Sequence, residues 1–145
     1  MQITRQADYA VRAVLYLAKQ NGAGRAPTSQ IAREQRIPPS FLAKIVSQLS
    51  VAGMVQTSRG ARGGVALARE PKDISLLEVV EAIDGPITLN ECVPDSSLCT
   101  FGDDCPVHGV WSDVQQKLVR ELSLTSFADL MASRGGKRVL TPLAL

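Results

Sequence analysis

The chain has 145 residues, 45% of them hydrophobic and 21% charged, with a formal net charge of +2. Such a length suits one domain, or one small domain with an extension, against a norm of roughly 100–200 residues per domain, and the apolar content excludes general disorder. No run of about 18 apolar residues occurs, so no membrane span is expected.

The opening MQITRQADYAVRAVLYLAKQ sets Asp8 and Arg12 inside its apolar pattern and has no small-residue cleavage site, so it does not read as a signal peptide. A cytoplasmic location is expected, where thiols stay reduced. The odd count of three cysteines also argues against a disulfide framework. The small net charge hides a strong asymmetry. Residues 1–69 hold ten Lys or Arg and only Asp8 and Glu34 as acids, a balance of +8, whereas residues 70–145 balance at −6. A basic front and an acidic back suggest that the first half meets a polyanion, although two oppositely charged halves can also simply attract each other.

Residues 5–20 place Ala7, Ala10, Val11, Val14, Leu17 and Ala18 on one helical face, with Thr4 as N-cap and Asn21-Gly22 and Gly24 ending the segment. A second helix is expected from Thr28 or Ser29 to about Gln35, with Ile31 and Ala32 inward. Pro38-Pro39 then forces a turn, because a residue before proline is driven out of the helical region. A third helix follows from about Ser40 to Ala52, with Phe41, Leu42, Ile45, Val46 and Leu49 inward and Ser40, Ala43, Lys44, Ser47 and Gln48 on its other face. Next, Val55, Thr57 and Arg59 alternate with Gln56 and Ser58, a Gly60-Ala-Arg-Gly-Gly64 turn follows, and Val65 and Leu67 return as a hairpin.

These elements make a winged helix-turn-helix over residues 1–70 in a mainly α fold. Ser75-Leu-Leu-Glu78 reads as a capping box opening a helix that stops at Gly85-Pro86, with Leu76, Val79, Val80 and Ile83 inward. That linking helix and a loop rich in Gly, Pro, Asp and Ser occupy residues 71–106. A long helix from about Val107 to Leu122 carries a narrow stripe of Val107, Trp111, Val114, Leu118 and Leu122, suited to packing against its twin in a homodimer. Residues 107–132 therefore read as a dimerisation helix, with a further helical turn near Thr125–Met131, and residues 133–145 as a flexible tail.

In a helix-turn-helix the second helix of the motif enters the major groove, about 12 Å wide. Here that helix offers Ser40, Lys44, Ser47 and Gln48 to base edges. Thr28 and Ser29, at a helix start, can donate to a phosphate. Arg59 and Arg62 in the wing can reach phosphate or the minor groove, and Gly60, Gly63 and Gly64 allow close backbone approach. Any one of these residues alone is equally a solvated surface group or a turn former. Their arrangement on a front half with a balance of +8 points to double-stranded DNA.

The second concentration of chemistry is Cys92, Cys99, Cys105 and the single histidine, His108, separated by six, five and two residues. Three readings of the thiols are open: buried structural thiols, a zinc site with His108 as fourth ligand, or an iron–sulfur site. Aspartates nearby disfavour the first, the lack of cysteines two to four apart disfavours the second, and cluster loops tolerate irregular spacing.

The chain resembles the winged-helix iron–sulfur transcription regulators typified by IscR and NsrR. The resemblance spans about residues 1–131, through TRQADYAVRAVLYLA, IPPSFLAKIVSQL, SRGARGGV, SLLEVVEAIDG, the three cysteines and CPVHGVW. It implies a homodimer with crossed long helices, a cluster in each cysteine loop and a palindromic promoter site. In IscR-like members a histidine placed like His108 completes a 2Fe–2S site with the three cysteines, the set favoured here. In NsrR-like members a 4Fe–4S site takes its fourth ligand from an aspartate placed like Asp8 of the partner subunit. Two departures stand out: Cys92 and Cys99 are one residue further apart than in typical IscR, and Ala43 stands where IscR has an acidic residue used in DNA recognition.

The reading is thus a dimeric DNA-binding regulator, a repressor or activator, that senses iron–sulfur status, redox state or nitric oxide through Cys92, Cys99, Cys105 and His108 or Asp8. A thiol- or zinc-based regulator without iron is the first alternative, and an electron-transfer or cluster-carrier protein the second. No nucleophile–base pair or paired acidic motif suggests an enzyme.

Overall fold

The computed structural model describes residues 1–20 and 24–133. Helix α1 (Arg5–Lys19) begins at Thr4, whose hydroxyl accepts from the Ala7 N–H at 3.1 Å, the expected N-cap. Ala7, Ala10, Ala13, Val14, Tyr16, Leu17 and Ala18 are buried along its inner face. Asn21-Gly22, expected to end it, and the tail from Arg134 lie outside the described residues.

Helix α2 (Thr28–Gln35) buries Ile31 and Ala32. It ends on Arg36 in the left-handed region, φ 52°. That conformation bends the chain sharply, and the Ile37 N–H closes the turn on the Ala32 carbonyl at 2.9 Å. Helix α3 (Pro39–Val51) starts one residue earlier than expected, because proline is tolerated in a first helical turn. Leu42, Ile45, Val46 and Leu49 are buried as expected, but Phe41 is not: it remains 40% exposed. Its ring meets Tyr9 edge to face, 6.2 Å between centroids, which places it at the α1–α3 rim instead of in the core.

Strands β1 (Val55–Ser58) and β2 (Gly64–Leu67) pair antiparallel with Val55 opposite Leu67 and Ser58 opposite Gly64. Arg59 falls just beyond the strand, in the turn. Val65 also bridges to Ala26 through two 2.9 Å bonds, fastening the wing to the segment ahead of α2.

Helix α4 (Leu76–Asp84) opens on the predicted capping box: Ser75 accepts from the Glu78 N–H while Glu78 accepts from the Ser75 N–H. Gly85, φ 80°, ends it. Arg69, just past β2, clasps the Glu78 carboxylate at 3.0 Å and bonds the Asp73 carbonyl, so the wing is tied to the start of α4. The far end of α4 is tied to α1, since the Thr4 N–H and hydroxyl both donate to Asp84.

Two turns of 3-10 helix, Ser96–Leu98 and Gly102–Asp104, punctuate the loop before α5 (Pro106–Leu124). Helix α5 buries no residue. Helix α6 (Phe127–Ala132), capped by Ser126 and Asp129, returns to the body. There Phe127 is fully buried and shares one core with α1, α2, α3 and α4. Two bonds close this return: Phe127 N–H to the Ile74 carbonyl at 3.0 Å, and Leu76 N–H to the Thr125 carbonyl at 2.8 Å. The described helices include none long and apolar enough to cross a membrane.

Burial pushes the Glu78 pKa up, but the Ser75 N–H and the Arg69 guanidinium outweigh it and hold the carboxyl below its ordinary 4.5. A carboxyl with a lowered folded-state pKa stabilises above its unfolded-state value and loses that contribution as pH falls through the folded-state one. Glu78→Gln is therefore expected to cost about 1 kcal/mol at pH 7, with the gap from wild type narrowing below pH 4.5 in urea titrations. Gly64 sits at φ 144°, where a Cβ would lie 2.6 Å from the Ala26 carbonyl oxygen. Gly64→Ala should cost about 1–3 kcal/mol in the same assay; wild-type stability would show that the wing is not fastened at Ala26.

Candidate DNA interface and cysteine loop

The basic surface has two parts. The first is the outer face of α3, where Ser40, Lys44 and Ser47 are exposed on successive turns. Gln48, expected beside them, is only half-exposed, and its side-chain oxygen is buried without a hydrogen-bond partner. An amide left this way is able to turn outward, accepting a bond from the N6 amino group of an adenine and donating one to its N7.

The second part is the cleft between the start of α2 and the wing, about 260 Å³, lined by Thr28, Ser29, Thr57, Ser58, Gly60, Gly63 and Gly64. Pro27 provides no side-chain cap for α2, and Thr28 and Ser29 of its first turn line this cleft. Free donors at a helix start suit a phosphate oxygen. A Cβ at Gly63 would stand 2.3 Å from the Ser58 carbonyl oxygen, so only glycine lets the turn fold back here. Arg59, Gly60 and Arg62 are exposed at the tip of the wing.

Two arginines on this surface escaped the sequence reading. Arg33 lies one turn after Ser29 on α2, a spacing that could have revealed it, and Arg36 is exposed at the α2–α3 corner. Arg33 adds positive charge along α2, and Arg36 adds it at the far end of that helix.

The cysteine loop joins α4 to α5. Cys92, Cys99 and Cys105 are free and half-buried. Cys99 follows the first 3-10 turn, its N–H bonded to Ser96, and Cys105 is the N-cap residue of α5, its carbonyl accepting the His108 N–H at 3.1 Å. His108 thus stands in the first turn of α5, and its Nδ1 is buried with no hydrogen-bond partner. Ser97 donates through its hydroxyl and N–H to Asp95 and holds that carboxyl below its ordinary range. Leu89 N–H donates to Gln115 at 2.9 Å, tying the start of the loop to α5.

Donor types suited to iron or zinc are thus present, two soft thiols on either side of a 3-10 turn and a third beside His108. In this conformation, however, the described His, Cys, Asp and Glu include no group of three placed to hold a metal ion. Asp8 lies elsewhere, in the first turn of α1, where Arg12 binds its carboxylate at 2.6 Å. The same guanidinium donates to the Gln35 carbonyl and stacks over Tyr9 at 4.9 Å. The exposed pair of Asp8 and Arg12 is worth a fraction of a kcal/mol, so it does not tie Asp8 down.

Val107, Val110, Trp111 and Val114 of α5 are between 40% and 56% exposed, an apolar strip that the other described residues leave largely open. Leu118 and Leu122, the lower part of the expected stripe, are half-buried.

The family model for Rrf2, described as an iron-dependent transcriptional regulator, matches residues 3–133. The HTH-type transcriptional regulator NsrR of Shouchella clausii is 30% identical over 141 residues, covering 97% of this chain and 95% of that protein. The HTH-type transcriptional regulator IscR of Escherichia coli is 31% identical over 131 residues, covering 90% of this chain and 80% of its own length. Among solved structures, CymR of B. subtilis, titled the global cysteine regulator, superposes with a TM-score of 0.79 at 27% identity over 91% of this chain and 97% of that one. A mainly helical body with a two-stranded wing and matches of this extent lead to one assignment. The chain belongs to the Rrf2 family of transcriptional regulators.

Proposed function

We propose that the chain is a cytoplasmic homodimeric regulator that binds a palindromic promoter site and senses iron–sulfur or redox status through Cys92, Cys99, Cys105 and His108. The observation that carries this reading is the presence of three free, half-buried thiols in the loop between α4 and α5, followed by the orphaned Nδ1 of His108 in the first turn of α5. A buried imidazole nitrogen without a partner costs free energy unless something is there to receive it, and thiolates with an imidazole are a donor set that iron–sulfur clusters accept. A bound 2Fe–2S cluster would supply a redox- and gas-sensitive centre at this point. The residues' own part is mechanical. Gathering Cys92 and Cys99 toward Cys105 and His108 requires the turns over residues 92–105 to refold, because no three donors among the described residues stand together.

Dimerisation places two α3 helices on one duplex. The exposed strip of Val107, Val110, Trp111 and Val114 suits an isologous contact with the same strip of a second copy. Refolding of the loop at the head of α5 then alters the separation of the two reading helices. The alternative ligand Asp8, from the partner subunit, would serve a 4Fe–4S site and would first have to leave Arg12.

A thiol regulator without iron is the second reading. It is favoured by the likeness to CymR and by the same absence of a preformed donor group among the described residues.

The test is iron and sulfide analysis with an absorption spectrum, on protein purified without oxygen. About two iron atoms per subunit, with a spectrum altered by His108→Ala and not by Asp8→Ala, is the expected result. About four iron atoms, with the reverse sensitivity, would move the fourth ligand to Asp8. Iron-free protein that forms a disulfide or binds zinc through the three cysteines would replace the cluster reading with the thiol one.

A further inference from the structure

The cysteine loop inverts the usual relation between side chains and water. Over residues 92–105 the three thiols are half-buried, while the two largest apolar side chains face solvent: Leu98 is 66% exposed and Phe101 74%. The two flank Cys99, one residue before it and two after. Left in water, they forgo the free energy that burial of an isobutyl group and a phenyl ring releases.

Only short turns hold them there. Leu98 closes the Ser96–Leu98 turn and Phe101 opens the Gly102–Asp104 turn. The Cys99 N–H bonds to the Ser96 carbonyl, and the Gly102 N–H bonds back to the Cys99 carbonyl. Gly102, at φ 53°, gives the chain a left-handed pivot just after Phe101. These are the turns that refold when Cys92 and Cys99 are gathered toward Cys105 and His108, so Leu98 and Phe101 travel with Cys99.

The inference rests on the cluster reading and deepens it. The apolar shell around a metal centre sets its access to water and its local dielectric. The other exposed side chains near the thiols are polar, Asp95, Ser97, Thr100 and Asp104, and cannot supply such a shell. We propose that Leu98 and Phe101 form the water-excluding cover of the cluster, exposed while the thiols stand apart and folded over the site once they are gathered. Such a cover bars water and charged solutes, which lose their hydration on entering it, and admits small uncharged gases. The centre then answers to a dissolved gas and not to a charged chelating metabolite.

The test uses full-length protein purified without oxygen, as wild type, Leu98→Ser, Phe101→Ser and the double variant, with cluster loss followed by visible absorbance. Added EDTA should bleach the double variant about tenfold faster than wild type, the worth of one large apolar side chain kept from water, with each single variant in between. Bleaching by nitric oxide should be unchanged, which separates a lost cover from a weakened site. Both side chains face water while the thiols are apart, so thermal unfolding and dimer dissociation of the iron-free variants should match wild type. Equal bleaching of all four proteins by EDTA, or the same acceleration with EDTA and with nitric oxide, would overturn the proposal. A changed dimer dissociation constant in the iron-free variants would also overturn it, by assigning the two side chains to the contact between subunits. Wild-type protein that holds no iron would instead overturn the cluster reading, and this inference with it.

Discussion

The rest of the molecule depends on a seam two hydrogen bonds wide. Ile74 and Leu76, just before and inside α4, bond to Phe127 and Thr125 at the start of α6. Phe127 then fills the centre of the core, and truncating a phenyl ring in such a place costs about 3–5 kcal/mol. The seam makes residues 76–125 a closed excursion: the chain leaves the body through α4, passes the cysteine loop, runs along α5 and comes back to where it left. The loop therefore cannot move as a free appendage. A change in its fold has to be absorbed by α4, by α5, or by the seam itself.

That geometry gives the proposed sensing a route. Helix α4 is held at both ends, by Arg69 on Glu78 near the wing and by Asp84 on Thr4 at the head of α1. It packs on α1 and α3 within the same core. Helix α5 is the compliant member, since it buries none of its residues and, among the described residues, meets the rest chiefly at α4 and through the Gln115 side-chain carbonyl oxygen that accepts from the Leu89 N–H. A refolding loop would thus displace α5 before it disturbed the DNA-reading core. With α5 as the dimer contact, such a displacement would change how two rigid reading heads are set relative to one another. The charge distribution runs along the same division, because residues 1–69, which contain α1 to α3 and the wing, are basic and residues 70–145, which contain the excursion, are acidic.

The sequence was most legible where local chemistry decides the outcome. Thr4, the Ser75–Glu78 box, the Pro38-Pro39 turn and the glycine-rich wing each announce a backbone event within a few residues, and each occurs where expected. Long-range packing was less legible. Phe41 fits the inward face of α3 by periodicity, yet it ends at the rim because Tyr9 offers an aromatic edge there. Phe127 follows a capping serine in a short segment with little periodicity, so nothing local marks it as the centre of the core. At the candidate sites, helical spacing was enough to place Ser40, Lys44 and Ser47 on the exposed face of α3, whereas Arg33 and Arg36 needed the α2–α3 corner to be seen. The cysteines and His108 could be named as donors, but their separation in this conformation depends on turn geometry that spacing does not encode.

The central claim is that the state of the cysteine loop is read out at the DNA face. The most direct measurement is the affinity of one selected duplex for the same protein preparation before and after its iron and sulfide are removed without oxygen, with a Cys92→Ala, Cys99→Ala, Cys105→Ala variant alongside. The account predicts a tenfold or greater difference between the two states of the wild-type protein, roughly 1.4 kcal/mol of coupling, and a single affinity for the variant, which should still be a dimer. Equal affinity of the two wild-type states for every selected duplex would contradict it.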